Sequence, residues 1–359
     1  MEQLQSFIKL LINKNGSSPI YNCTVFINDA KRNIYYNEVF GQMDNFGGEL
    51  SDNCSFRIGS ITKTFTATII LQLMEEGVLN LEDNYLDCIK YSSRKLFEKL
   101  ILVESVNYSN SITIKNLLQH RSGIRDYYAD DSRFLDYILN FPDYQWDWKT
   151  IMHKYFEYRL NERGVFQPGE DFYYSDTNYL LLAVLIEDLT NISFHENLEK
   201  RILNPLCLED TYLEFYQEPK GTNQIVYPYY GLNYLKNINT SFDWGGGGLI
   251  SSTKDLDLFI RSLLSGELFK NIETLQLMIS FEDENKGVHS KKSRISYGLG
   301  LQQKQIGGLN LIGNNSAYGG MMFYDLKSRF SIILNLNQVT VPHKAELLLK
   351  KTLELVMPN

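Results

Sequence analysis

The chain has 359 residues, of which 43% are hydrophobic and 13% aromatic, and its formal net charge is −8. This length suits one large domain or two domains that share a cleft. The acidic balance argues against nucleic acid as the main partner. No apolar run approaches the roughly 18 residues that a membrane span needs. We therefore expect a globular protein with no nucleic-acid partner and no membrane span.

The cysteines and the N-terminus bear on localisation. The four cysteines are scattered, with no Cys-x-x-Cys pair and no histidine at metal-ligand spacing: Cys23, Cys54, Cys88 and Cys207. The first twelve residues have helical apolar spacing but lack the basic segment and long apolar core of a signal peptide. We expect no metal site and a reduced, cytoplasmic protein. A disulfide and a trimmed N-terminus are the alternatives.

Strand patterns stand at both ends of the chain. A hairpin is predicted from residues 24–28 and 33–40, and strands from 297–302, 309–312, 319–324 and 330–336, followed by a closing helix over 343–356. Because the middle is mainly helical, we predict an α+β fold in which both termini complete one antiparallel sheet. Residues 1–66 and 243–359 would form a discontinuous sheet domain and residues 67–242 a mainly helical domain. The active site would lie in the cleft between them.

A serine and a lysine, Ser60 and Lys63, stand at the start of a long uncharged helix pattern. Lys63 is the one charged residue between Arg57 and Glu75, and residues three apart share a helix face, so the two side chains can meet. Apolar surroundings disfavour the ammonium form of a lysine and free its lone pair. A serine needs such a base to become a nucleophile. A buried helix start without catalytic function is the alternative from these residues alone.

The spacing Ser-x-x-Lys occurs twice more, at Ser92/Lys95 and Ser251/Lys254. The first of these pairs lies in a basic segment that we expect to be solvated. Next to the second, Ser252 and Asp255 form a variant of the capping box, which predicts a helix cap. Only Ser60 follows a glycine, stands at a helix start and precedes a helix pattern that is uncharged apart from Lys63. It is therefore the one candidate nucleophile of the three.

Three further segments have features of a cleft. A Pro168-Gly169 turn precedes Tyr174 and an apolar helix pattern, which places Tyr174 in a helix-entry loop, where side chains commonly face a site. The aromatic stretch 126–164 predicts short helices over the cleft. The glycines at 245–248 lack the Gly-Lys-Ser/Thr of a phosphate-binding loop. We interpret them as a closely packed cleft floor.

In this order along the chain, the segments resemble the serine β-lactamase and penicillin-binding-protein superfamily. The most similar branch is that of class C β-lactamases, D-alanyl-D-alanine carboxypeptidases and related esterases. The resemblance runs from about residue 24 to the C-terminus. It rests on Gly59-Ser60-Ile61-Thr62-Lys63, the stretch 117–124, Pro168-Gly169 before Tyr174-Ser175-Asp176, the stretch 245–249, Tyr297-Gly298-Leu299-Gly300 and the strand near residue 313. It implies the fold of that superfamily.

The resemblance implies three catalytic residues. Ser60 matches the acylated nucleophile, Lys63 its hydrogen-bonded base, and Tyr174 the tyrosine of a Tyr-x-Asn motif that passes a proton to the leaving group. A literal Tyr-Ser-Asn at 108–110 is rejected because it precedes the helix that the family motif follows. The resemblance implies no metal or organic cofactor, and a small molecule or short peptide as substrate. A core aromatic is the alternative for Tyr174.

The second motif departs from the family pattern at Asp176, which stands where the family usually has asparagine. An amide both donates and accepts hydrogen bonds, whereas an ionised carboxylate only accepts them. A carboxylate near Lys63 would also hold the amine as an ammonium and make it a poorer base. More of the proton transfer would then fall to Tyr174, or turnover would be weaker.

The third motif departs further, in the stretch 313–320. Asn314 replaces the lysine or histidine of the family, and Ser316 replaces its glycine. Loss of the cation weakens recognition of a substrate carboxylate, and the Ser316 side chain narrows the strand edge where substrate would lie. An oxyanion hole can persist, because it uses backbone N–H groups, here those of Ser60 and Ala317. We therefore expect Asp176, Asn314, Ser316 and Ala317 to contact substrate.

The histidines lie outside any catalytic pattern: His120, His153, His195, His289 and His343. His120 matches a family position, and we expect it to pack and to cap the end of a helix.

Two classes of function fit these residues. The first is a serine hydrolase that forms an acyl-enzyme on Ser60 and acts on a small ester, amide or D-amino-acid peptide. The second is a catalytically weak relative that binds a peptide-like ligand or a protein partner, as the changed third motif suggests. A broad-spectrum β-lactamase is a third possibility, against which the lack of an export signal argues. The oligomeric state is left open.

Overall fold

The computed structural model describes residues 1–281 and 296–357. Its helices are Glu2–Leu11 (α1), Thr62–Glu75 (α2), Tyr85–Cys88 (α3), Tyr91–Phe97 (α4), Ile114–Leu118 (α5), Ser132–Asn140 (α6), Trp148–Glu157 (α7), Asp176–Thr190 (α8), Phe194–Leu198 (α9), Trp244–Gly247 (α10), Thr253–Ser265 (α11), Ile272–Met278 (α12) and Pro342–Val356 (α13). Short 3-10 turns include Gly59–Ile61 and Ser241–Asp243.

The strands fall into two larger sheets and two small ribbons. In chain order they are Asn22–Asp29 (β1), Ile34–Gly41 (β2), Cys54–Arg57 (β3), Leu102–Val103 (β4), Val106–Asn107 (β5), Tyr212–Leu213 (β6), Gln224–Val226 (β7), Tyr229–Tyr230 (β8), Asn233–Tyr234 (β9), Leu249–Ser252 (β10), Ser296–Tyr297 (β11), Gln302–Ile306 (β12), Leu309–Asn315 (β13), Gly320–Asp325 (β14) and Phe330–Leu336 (β15).

Both ends of the chain build the main sheet, as the sequence predicts. Its seven strands have the order β11-β12-β13-β14-β15-β1-β2, and β1 pairs antiparallel with β15 from Cys23 opposite Leu336 to Asp29 opposite Phe330. Successive strand residues face opposite sides. Val25 therefore packs in one core with helices α1 and α13, whereas Phe26 packs in the other core with helix α11. The prediction of an α+β fold with an antiparallel sheet flanked by helices is confirmed.

The terminal elements also match the prediction, with one exception. Strands β1 and β2 form the predicted hairpin, and the closing helix runs from Pro342 to Val356. The single strand predicted over 297–302 is wrong, because residues 298–301 separate β11 from β12. Gly300 has φ +78°, and a Cβ there would lie 2.4 Å from the Cβ of Ala67. Close packing on helix α2 therefore breaks the strand.

A second, four-stranded sheet has the order β6-β10-β3-β7. It joins strands from the predicted sheet domain, β3 and β10, with strands from the predicted helical domain, β6 and β7. Helix α2 also continues across the predicted boundary at residue 66. Because this sheet and helix α2 join the two predicted domains, the division into a sheet domain (1–66 with 243–359) and a helical domain (67–242) stays a prediction. Strand β3 matters for the site, because it leads directly to Ser60.

Candidate active site

Ser60 lies where strand β3 gives way to helix α2. The 3-10 turn Gly59–Ile61 connects the two elements, and Ser60 is partly exposed between buried neighbours. Gly59 has φ +49°, and a Cβ there would lie 2.5 Å from Ser316 Oγ and 3.1 Å from the ring of Tyr318. A glycine is thus required before Ser60, because the segment after β13 lies against this turn.

The Lys63 side chain meets Ser60, as the helical spacing predicts. Lys63 is 1% exposed, and its Nζ donates to Ser60 Oγ at 3.1 Å and to the Gly246 carbonyl at 2.8 Å. An ion pair with Asp176 is its third contact. An ammonium has three N–H donors, so these contacts orient the group fully and hold it beside the serine.

The glycine run 245–248 forms the floor beneath this lysine. A Cβ on Gly246 would lie 3.6 Å from Lys63 Nζ and 3.7 Å from Asp176 Oδ1, and one on Gly245 would lie 2.4 Å from the Cβ of Ala183. Side chains here would fill the space that Lys63 and helix α8 occupy. This close packing agrees with the interpretation of the run as a cleft floor.

Tyr174 stands on the other side of Ser60, just before helix α8. The two hydroxyls are hydrogen-bonded, and the Tyr174 ring centroid is 5.0 Å from Lys63 Nζ. Burial, with a further contribution from Asp176, raises the pKa of Tyr174 well above its usual value, against the opposite effect of the Ser60 hydrogen bond. The phenol therefore keeps its proton at neutral pH and is available as a donor.

His120 supports Tyr174 from behind. It is fully buried, and its ring stacks on Tyr174 with centroids 4.2 Å apart. Its Nδ1 accepts from the backbone N–H of Ser175 at 3.2 Å, at the start of helix α8. Burial and the charge of Lys63 lower its pKa well below the usual range, so the ring is neutral. His120 packs as expected, whereas His289 lies outside the described residues.

A buried carboxyl group, Asp126, was missed from the sequence. Its oxygens accept from the backbone N–H groups of Asp176 at 2.8 Å, Tyr128 at 2.7 Å and Ala129 at 3.0 Å. Burial, together with the nearby Asp176, raises its pKa to about 7. Asp126 fixes the backbone of Asp176 opposite Lys63. The bonds from Tyr128 and Ala129, two and three residues after Asp126, are typical of a local turn and can be expected from the sequence. The bond from Asp176 joins residues 50 positions apart and cannot be expected in this way.

The three residues of the third motif differ in burial and in the groups they contact. Asn314 is fully buried, and its side chain accepts from Gln302 Nε2 at 3.0 Å and donates to the Gly300 carbonyl at 3.4 Å. It joins neighbouring strands and is not on the cleft wall. Ser316 begins the turn after β13, where its Oγ accepts from the backbone N–H of Tyr318 at 3.0 Å. Ala317 is exposed in that turn.

One cavity of about 460 Å³ brings part of the predicted site together. Ser60, Asp176 and Ala317 line it, and so does Asp243, which sequence reasoning missed. The rest of its wall is largely apolar or aromatic: Tyr128, Leu135, Ile138, Leu139, Leu235, Ile238, Phe242, Tyr318 and Val339 are among these residues. Helix α6, from the predicted cleft cover, supplies several of them. A larger groove of about 590 Å³ lies elsewhere, around Lys90 and Trp148.

Three further properties of the described residues concern metal binding, the cysteines and membrane spans. Within 1–281 and 296–357, no group of three or more His, Cys, Asp or Glu side chains could hold a metal ion. All four cysteines are free thiols. In the same ranges, no helix combines the length and apolarity needed to cross a membrane.

Comparisons with known proteins agree with this architecture. The sequence profile of the Beta-lactamase family matches residues 30–355. The chain therefore belongs to the beta-lactamase family. Among solved structures, the D-amino acid amidase from Ochrobactrum anthropi SV3 is similar with a TM-score of 0.75 and 18% identity, covering 98% of this chain and 99% of that one. That likeness concerns the fold.

Two curated proteins have sequences similar to this chain. Penicillin-binding protein 4* of Bacillus subtilis (strain 168) is 27% identical over 63% of this chain and 45% of its own length. The teichoic acid D-alanine hydrolase of Staphylococcus aureus (strain NCTC 8325 / PS 47) is 26% identical over 91% of this chain and 72% of its own length. The chain thus spans less than half of the first relative, and the relatives and neighbours named for an activity are hydrolases.

Proposed function

We propose that this protein is a serine hydrolase that forms an acyl-enzyme on Ser60 and cleaves small esters or amides, including D-aminoacyl compounds. The observation that carries the proposal is the 3.1 Å hydrogen bond between buried Lys63 and Ser60, at the edge of a cavity. The D-alanine hydrolase among the relatives supports the substrate class. The position of Asn314 outside the cavity wall speaks against a β-lactam as the preferred substrate.

In acylation, Ser60 Oγ forms a bond to the carbonyl carbon while its proton passes to Lys63. Lys63 can accept that proton once its own surplus proton has moved to the Asp176 carboxylate, its ion-pair partner. The bond to the leaving group then breaks, and the leaving group takes a proton from Tyr174, which is replenished from Lys63. Water repeats the sequence on the acyl-enzyme, which releases the acid and restores Ser60.

The charge that develops on the carbonyl oxygen needs donors in place before reaction. The backbone N–H groups of Ser60 and Ala317 are the proposed oxyanion hole. Both residues line the same cavity. The turn that holds Ala317 is fixed by the hydrogen bond from the Tyr318 N–H to Ser316 Oγ, so the side chain that departs from the family pattern stabilises the turn.

Hydrolysis of a D-alanine ester tests this proposal. Ser60→Ala should lower kcat/KM by at least about three orders of magnitude, because removal of a nucleophile eliminates the acyl-enzyme route. Ser92→Ala, in an exposed copy of the Ser-x-x-Lys pattern, should match the native protein. A penicillin should be turned over far more slowly than the ester. Hydrolysis that persists in Ser60→Ala would sink the proposal.

A further inference from the structure

The charge of the cavity beside Ser60 is unusual for a site that would bind a carboxylate. Among the described residues, no lysine, arginine or histidine lines it, whereas two carboxyl groups do, Asp176 and Asp243. Asp176 is neutralised by its ion pair with Lys63. Asp243 has no ion pair with a cation in the described part of the chain. Its carboxylate accepts a hydrogen bond from the hydroxyl of Tyr318.

Two contacts place Asp243 close to Ser60, one with the glycine run and one with Tyr318. Asp243 directly precedes helix α10, and its Cβ is 3.2 Å from where a Cβ on Gly247 would be. Tyr318 donates a hydrogen bond to Asp243, and the Tyr318 ring lies against Gly59, next to Ser60. A group bound at Asp243 would therefore sit at the same cleft floor as the acylated serine.

Burial disfavours the charged form of Asp243. Burial, with a further contribution from Asp176, raises the pKa of this carboxyl to about 7 although the Tyr318 hydrogen bond acts against the shift. The charges of Arg57 and Lys63 and the Tyr318 hydrogen bond offset the cost of its lost hydration only in part. A cation brought in by a ligand would offset the rest of this cost, and a second anion would be repelled.

We propose that Asp243 is a cation subsite that selects acyl donors with a protonated amine beside the reacting carbonyl and disfavours donors with a carboxylate there. This inference rests on the proposed function and adds the charge of the substrate to it. The apolar wall from helix α6 and Phe242 would take the uncharged part of the donor. Tyr318 is a positioning residue, because its hydroxyl holds the Asp243 carboxylate in place.

Three matched esters test the subsite: D-alanine methyl ester, methyl isobutyrate and the monomethyl ester of methylmalonate. The same carbon bears an ammonium, a methyl group or a carboxylate. Asp243→Asn should lower kcat/KM for the D-alanine ester about 10- to 100-fold more than for methyl isobutyrate, the scale of one hydrogen bond to a charged group. It should also reduce the disadvantage of the anionic ester. Tyr318→Phe keeps the carboxylate but removes the hydroxyl that holds it, so it should lower the ammonium preference less than Asp243→Asn does.

A binding measurement separates this inference from the proposed function. In a Ser60→Ala background, calorimetry should find D-alanine amide bound about 10- to 100-fold more weakly once Asp243 is also changed to Asn, with isobutyramide as the neutral comparison. This readout needs no turnover. Equal losses for charged and neutral ligands, or no loss for either, would overturn the cation subsite. Absence of Ser60-dependent hydrolysis with intact amine selectivity would overturn only the proposed function.

Discussion

Replacing Lys63 with alanine should slow the acylation of Ser60 by an activated ester at least about 100-fold, the scale of general-base catalysis. The structure gives the reason, because Lys63 Nζ is the amine that hydrogen-bonds Ser60 Oγ, at 3.1 Å. The matching measurement is the pre-steady-state release of p-nitrophenol from p-nitrophenyl acetate. Retention of the native rate would exclude Lys63 as the base.

This substitution needs two controls. Lys95→Ala changes the lysine of the exposed copy of the same pattern and should leave acylation unchanged. Lys63→Ala also leaves Asp176 without its ion-pair partner and opens space in a buried region, so it should lower the free energy of unfolding. Lys63→Met fills more of that space, and a matching loss of acylation in a folded Lys63→Met protein would assign the effect to the amine.

Tyr174→Phe should affect substrates according to their leaving group. The change removes the hydroxyl that is hydrogen-bonded to Ser60 and keeps the ring that stacks on His120. An amine leaving group must gain a proton, so cleavage of D-alanine p-nitroanilide should fall about 100-fold. Nitrophenolate needs no proton to leave, so acylation by p-nitrophenyl acetate should fall much less. The measurement is kcat/KM for the two substrates side by side.

The matched control is Tyr108→Phe, in the literal Tyr-Ser-Asn sequence. Tyr108 precedes a 3-10 turn at Ser109–Ser111 and packs against the hydrophobic core. Its variant should keep native selectivity between the two substrates. Equal losses on both substrates for Tyr174→Phe would contradict a role in leaving-group protonation, and so would a selectivity change in Tyr108→Phe.

Features that depend on neighbouring residues could be predicted from the sequence. The approach of Lys63 to Ser60 follows from their separation by three positions at a helix start, and the structure has the two atoms at hydrogen-bond distance. The predicted helix cap behaves in the same way. Ser252 accepts from the backbone N–H of Asp255 at the start of helix α11.

Features that depend on contacts between distant parts of the chain could not be predicted from the sequence. The side chain of Asn314 could face either side of β13, because residues of this strand are buried on both of its faces. Nothing local reveals that it points to Gln302 and Gly300. The Asp243–Tyr318 bond joins residues 75 positions apart. Such pairs are set by the meeting of two elements in the folded chain, which residue spacing along one element does not encode.

The central claim is that Ser60 becomes acylated, and the intact mass of the protein after incubation with an activated ester tests it most directly. The native protein should gain one acyl group, located by peptide mapping to the segment that contains Ser60, and Ser60→Ala should gain none while Ser92→Ala behaves like the native protein. A parallel incubation with a penicillin should give a much slower adduct. Complete absence of an adduct on the native protein, or an equal adduct on Ser60→Ala, would contradict the account and favour a binding protein that has kept the fold without the reaction.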